Sequence, residues 1–215
     1  MAAPSTDVDI CNLALDKLGQ REISVTGLTA PSTEIEKVCA RHYDQARRKV
    51  LRKYIFNFAR KLDILEESTD VSPAYGYSAA FYVPVDSLKI LVVGDATIGG
   101  NLRGLQYEIA ENYIYTSYDD DGDLNVEYVF DAKNVEEFDP LFIDVLVLEL
   151  AASMAYKFTL KPSIVKALKE DLLDAQTAAA AAAGQERPPR RVQTSKLVDA
   201  RRWGFRTRDN TRYPF

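Results

Sequence analysis

Histidine is nearly missing from this chain. His42 is the only one in 215 residues, so a metal centre or an acid–base system built on several imidazoles is excluded. His42 falls beside the apolar side of a predicted helix, where a structural or solvent-facing role is expected. Cysteine is almost as scarce. Cys11 and Cys39 are the only two, and both fall on apolar faces of predicted helices. They read as buried free thiols, which favours a cytoplasmic origin. The opening MAAPSTDVDI has neither a basic region nor an apolar run, so no secretory leader is expected. Long uninterrupted apolar runs are also absent. The nearest, residues 141–158, contains Asp144 and Glu149. Each charge would cost about 3 kcal/mol in the middle of a bilayer, so the segment reads as a buried helix and no membrane partner is expected.

Catalytic signatures are lacking too. The glycine-rich run GDATIGGNLRG, residues 94–104, does not end in the GK[ST] of a phosphate-binding loop and does not match G-x-G-x-x-G. It reads as loop or bulge glycines. The acidic run from Asp119 to Asp123 resembles a calcium loop, but aligning Gly122 as the loop glycine puts Tyr128 where a bidentate Glu is required. A solvated turn is the simpler reading. The pairs Glu66-Glu67 and Glu136-Glu137 are adjacent in sequence and near element ends, with no sign of the apolar cleft that acid catalysis needs. No G-x-S-x-G or Cys–His signature occurs. No cofactor, metal or catalytic residue is expected.

What is present is an ordinary globular composition, 47% apolar and 27% charged, with charge unevenly distributed. Residues 185–215 hold nine Lys or Arg against three Asp or Glu, a net +6. With −5 overall, residues 1–184 carry −11. An acidic body with a basic arm implies a partner that the arm meets, and a body this acidic is unsuited to wrapping DNA.

The apolar spacing predicts a first helix over 7–18, with Thr6 and Asp9 as a capping box and Gly19 as its stop. A second runs over 34–58, capped by Thr33 and Glu36. Its apolar side is Ile35, Cys39, Tyr43, Ala46, Val50, Tyr54 and Phe58. Its other side is basic, with Arg41, Arg47, Arg48, Lys49, Arg52 and Lys53. At roughly 37 Å it would be the longest rod in the molecule. From Lys61 to Phe130 short strands are expected over 61–65, 80–83, 88–93, 105–109, 113–118 and 124–130. One hairpin turns at Glu111-Asn112, and another at Asp121-Gly122 between Tyr115 and Val126. Asp139-Pro140 restarts helix in a segment apolar on nearly all sides. A fourth helix starts near Pro162 and ends in alanines at Gly184, an Ala surface that permits close helix approach.

The fold class is therefore α+β: a helical bundle of about four helices (1–60 and 137–184), an inserted antiparallel β-rich domain (61–136) and an extended C-terminal arm (185–215). The arm mixes arginines with aromatics and has too little apolar periodicity to fold alone. Arg190, Arg191, Arg201, Arg202, Trp203, Phe205, Arg206, Arg208, Arg212, Tyr213 and Phe215 are residue types that anchor interfaces.

The stretch Asp9-Ile10-Cys11-Asn12-Leu13-Ala14-Leu15-Asp16-Lys17-Leu18-Gly19 is followed by Cys39, Tyr43, Arg47, Val50, Leu51 and Tyr54-Ile55-Phe56-Asn57-Phe58-Ala59. With Tyr82-Val83-Pro84-Val85-Asp86 and Leu150-Ala151-Ala152, this resembles the head-to-tail adaptor family of short-tailed bacteriophages, the tail tubular protein A type, over about residues 7–173. The resemblance implies a virion protein of the neck and tail, made in the host cytoplasm. Copies would form a ring, dodecameric in the family's plan. The arm would climb onto the portal protein, the β domain would meet the tail nozzle protein, and genomic DNA would pass through the lumen without sequence readout. Two other classes stay open: a virion-associated peptidoglycan hydrolase, which needs two carboxylates in one cleft, and a nucleic-acid-binding protein using the basic arm.

Overall fold

Thr6 and Asp9 set the first helix as their spacing predicts. The Thr6 hydroxyl accepts from the Asp9 amide at 3.2 Å and the Asp9 carboxylate accepts from the Thr6 amide at 3.0 Å, which starts α1, Asp7–Lys17. Gly19 takes φ +63° just past its end, the left-handed turn that closes a helix most cheaply with glycine. Thr33 and Glu36 cap α2, Glu34–Lys53, in the same way. The computed structural model describes residues 4–73, 76–96, 102–117 and 123–186. The chain divides into two units, Met1–Gly184 and Gln185–Phe215, and of the second only residues 185 and 186 are described.

Helix α2 departs from the expected span. It stops at Lys53, and Tyr54 is already extended at φ −116°, ψ 147°. At 20 residues it is about 30 Å long. The stripe continues through Tyr54 and Phe58, but tertiary packing overrides it. Phe56 and Phe58 pack instead against Phe142, each at 5.1 Å between ring centroids, and a short 3-10 turn at Asn57–Ala59 delivers the chain into strand β1, Arg60–Glu66.

The other strands are β2 (Ala79–Tyr82), β3 (Ser87–Ala96), β4 (Leu102–Gly104), β5 (Tyr107–Ala110), β6 (Tyr113–Thr116) and β7 (Asp123–Phe130). They build two antiparallel sheets, ordered β1-β7-β3-β4 and β2-β6-β5. The Glu111-Asn112 hairpin is present. Ala110 pairs with Tyr113, and both turn residues have positive φ, 50° and 67°, as a two-residue type I′ turn requires. The second expected hairpin is not. Strand β6 pairs with β2 and β5, while β7 lies in the other sheet between β1 and β3. The turn residues Asp121 and Gly122 lie outside the described residues. The glycine-rich run is also not wholly loop, since Gly94 pairs with Gly104, Asp95 with Arg103 and Ala96 with Leu102.

Helix α3, Pro140–Thr159, starts at Asp139, whose carboxylate accepts from the Leu141 amide at 2.7 Å. Ten of its side chains are buried, as an all-round apolar helix demands. It ends at Leu160 with φ 50°. Helix α4, Pro162–Gln185, is the longest of the four at 24 residues. It buries only Leu168, Gln176 and Ala179, and most of its alanine run is exposed or half-buried. The fold is thus α+β, with four helices and two small antiparallel sheets.

Two cores hold it. The larger joins Ile10, Leu15, Val38, Leu51, Phe142, Leu146, Leu150 and Met154 from the helices with Val129 and Ala132 at the exit of β7. The smaller is shared by the two sheets through Phe81, Val93, Ile114, Leu124, Val126 and Tyr128. No helix among the described residues is long and apolar enough to cross a membrane.

Candidate functional site

The eleven arm residues singled out by sequence, Arg190 to Phe215, lie outside the described residues. The functional surfaces that can be built atom by atom belong to the first unit, and α2 organises most of them.

One side of α2 is buried, and it is not purely apolar. Arg47, which the sequence pattern assigns to the solvated basic face, is only 2% exposed. Its guanidinium donates to Asp131 at 2.6 Å, to the carbonyl of Ala132, and to Asp44 at 3.1 Å. Burial opposes its charge, and the Asp131 and Asp44 carboxylates outweigh that and raise its pKa. Arg47 therefore ties the chain leaving β7 to the middle of α2. Tyr43 donates to Asp7 at 2.6 Å, and burial followed by that carboxylate pushes its hydroxyl pKa up.

Glu36 is a second buried polar residue, 4% exposed. Its carboxylate accepts from the Ser24 hydroxyl at 3.0 Å and from the Ser32 amide, the Ser32 hydroxyl and the Thr33 amide, each at 2.8 Å. The Thr33 and Ser32 donors pull its pKa down to about 2, so Glu36 clips the loop between α1 and α2. The sign of its pH dependence follows. An unfolded glutamate titrates near 4.5, so the stabilisation is fully present above that value and is lost as pH falls toward about 2. Replacing Glu36 by Gln is expected to lower the urea midpoint at pH 7 and to bring variant and parent closer together at pH 3. An equal gap at both pH values would show that the carboxylate charge is not what holds the loop.

The exposed side of α2 carries Lys37, Arg41, Arg48, Lys49, Arg52 and Lys53. Beside it, α2 and α3 enclose an open concavity of about 230 Å³ lined by His42, Gln45, Ala46, Lys49, Glu149 and Ser153. Lys49 is ion-paired with Glu149 across it, and nearby Lys157 pairs with Glu34. Burial, then Arg41 and Lys157, pulls His42 below the usual imidazole range. The Ser153 hydroxyl donates to its own helix at Leu150, 2.7 Å away, so it is not activated by a base. The concavity's one cation and one carboxylate neutralise each other, and it shows no nucleophile–base pair. Sequence spacing gave no sign that Lys49 meets Glu149, because they lie on different helices and each alone reads as a solvated charge.

One pair of carboxylates does converge in the β region. The Tyr128 hydroxyl lies 3.3 Å from Asp63 and 3.1 Å from Asp86, and Lys61 sits 3.6 and 3.5 Å from the same two carboxylates. Both side chains are close to half exposed, 40% and 45%. This is a surface ion-pair network pinning β1, β7 and the turn before β3, without the desolvation that tunes a catalytic acid. No group of three or more metal-ligating side chains occurs among the described residues. Cys11 and Cys39 are both buried and free. The hydrogen bond to Cys39, followed by burial, pushes the Cys11 thiol up, away from thiolate reactivity.

No protein-family model and no curated protein matches the chain.

Proposed function

We propose that this chain is a structural virion subunit, a head-to-tail adaptor whose copies form a ring between the portal and the tail nozzle. The observation that carries the reading is the charge division at Gly184. A basic, aromatic arm of +6 leaves a body of −11, on a chain whose opening and second-helix residues resemble that family. Supporting it, the motif side chains Ile10, Cys11, Ala14, Leu15, Cys39, Tyr43, Val50 and Leu51 are all core residues of the helices. An acidic lumen would offer few cations to the DNA backbone, so DNA would slide rather than stick. The arm supplies affinity for the portal through arginine and aromatic anchors.

Mixing the protein with purified portal rings of the same virus and imaging the product tests this. Rings capped at one end are expected. Removing residues 196–215 is expected to abolish capping while leaving the thermal unfolding of the body intact. Full capping by the truncated chain would refute the arm's role. The basic arm also admits a second reading, nucleic-acid binding by the isolated chain. That reading predicts a DNA complex that dissociates steeply with salt, and no mobility shift at low salt excludes it.

A further inference from the structure

The body's charge is divided a second time. Residues 61–136 hold fifteen Asp or Glu against four Lys or Arg, a net −11. The helical parts of the body are therefore neutral overall, yet one face of α2 is strongly basic. On that face the two carboxylates are already engaged, Glu34 by Lys157 and Asp44 by Arg47. Arg48 is held by Asp131 and Lys49 by Glu149. Lys37 and Arg41 form no ion pair with any described residue; Arg52 donates to the Leu88 carbonyl, and Lys53 donates to the Gln176 amide oxygen and lies over the Tyr54 ring. Positions 37, 41, 48 and 52 return to one side of a helix and span about 22 Å along it. This is a row of cations beside the open concavity between α2 and α3, in which Lys37, Arg41 and Arg52 form no ion pair with a described residue, and Glu34, already paired with Lys157, is the carboxylate near enough to feel Lys37 and Arg41.

A complementary surface exists on the same molecule. Strand β1 is an edge of its sheet, and on one face it exposes Leu62 and Ile64, 71% and 60% accessible. Natural edge strands are blunted or covered; just past β1 the chain is bridged to β2 at Glu67, and Leu62 and Ile64 leave a small apolar spot before it that a docked partner could cover. Immediately beyond them Glu66, Glu67 and Asp70 are exposed and form no ion pair with any described residue.

We propose that the basic face of α2 docks onto the β1 edge of a second copy of this chain, Lys37 and Arg41 meeting Glu66, Glu67 and Asp70 while Leu62 and Ile64 are covered. The two faces differ, so the contact is head-to-tail, the kind that propagates from copy to copy and closes into a ring rather than stopping at a two-fold dimer. A nucleic-acid backbone is the less favoured occupant of the α2 face, because the −11 of residues 61–136 on the same body repels it. This interface rests on the ring reading above and names the surfaces that would build it.

Cysteine trapping on the full-length chain tests it. Lys37→Cys and Glu67→Cys are made separately, Cys11 and Cys39 being shielded at 0% exposure. Mixing the two under mild oxidation is expected to give disulfide-linked dimers that neither variant gives alone. Arg41→Glu added to the Lys37→Cys chain is expected to weaken the yield of trapped dimer about tenfold by placing like charges together, and so is Glu66→Lys with Asp70→Lys added to the Glu67→Cys chain. Combining the reversals on the two chains is expected to restore it. The proposal is overturned by the absence of mixed dimers, by homotypic Lys37→Cys products, or by reversals that fail to compensate. It is equally overturned if the α2 reversal abolishes binding to a short DNA duplex and leaves trapping unchanged. Capping of portal rings is read independently. Capping without trapping removes this interface alone, and trapping without capping removes the adaptor reading alone.

Discussion

Replacing Arg47 by Ala is expected to destabilise the protein by about 3–5 kcal/mol, the usual cost of breaking a buried ion pair from one side. The substitution strands several groups at once. Asp131, 11% exposed, keeps only the more distant Arg48 at 3.3 Å. The Ala132 carbonyl loses its charged donor, and an acceptor left unsatisfied in the interior costs about 1–3 kcal/mol by itself. The alkyl stem of Arg47 also leaves a gap in the helical core. Urea unfolding should show a lowered midpoint with little change in slope. The pairwise part can be isolated with Asp131→Asn and the double variant. If the two single losses simply add, Arg47 acts through packing and not through Asp131. If the loss is under about 1 kcal/mol, the tie between β7 and α2 is not the fixture its geometry suggests. The consequence for assembly is direct. Asp131 and Ala132 are the residues by which the chain leaves the sheet, so a looser joint would let the β region shift against the helices, and in the proposed ring a subunit with a variable internal angle would close poorly.

Helix capping and turn chemistry were legible in the sequence because they are local. Thr6 and Asp9, Thr33 and Glu36, Asp139-Pro140 and Glu111-Asn112 each act over a few residues, and each does in the structure what its residue types predict. The failures share one cause, which is that distant packing decided the outcome. Periodicity carries α2 through Phe58, but the aromatics after Lys53 gain more from Phe138 and Phe142 than from another helical turn. Arg47 reads as surface because arginine is seldom buried without a partner, and the two partners that hold it inside, Asp131 and Ala132, stand 84 and 85 residues away. A hairpin from β6 to β7 is the economical expectation for two neighbouring strands, yet β6 is taken by β5 just before it and by the remote β2, and β7 by the remote β1 and β3. The α2 concavity was invisible for the same reason, since Glu149 and Ser153 meet Lys49 and His42 only after α3 has docked. The arm is the opposite case. Its charge and composition are plain in the sequence, and its geometry lies outside the described residues.

Phe142→Ala should be about as damaging as Arg47→Ala, at about 3–5 kcal/mol, but for an apolar reason. Phe142 is fully buried and stands at the centre of four rings. Its ring centroid lies 5.1 Å from Phe56, 5.1 Å from Phe58 and 4.8 Å from Phe138, with interplanar angles of 78°, 68° and 75°. These are edge-to-face contacts, which add about 0.5–1.5 kcal/mol per pair beyond the area buried. Truncation removes the hub of all three and leaves a cavity walled by rings from two segments, the α2–β1 connection and the turn before α3, so collapse is hindered. Phe142→Leu keeps most of the volume and should cost markedly less, about 1–2 kcal/mol. The comparison also tests why α2 ends where it does. If the ring cluster holds Tyr54 to Phe58 out of helix, Phe142→Ala removes the competing interaction, and amide hydrogen exchange should report altered protection over residues 54–58 ahead of any change in the middle of α2. Unchanged exchange there would mean that the entry into β1, paired with β7 from Arg60 onward, ends the helix without help from the rings.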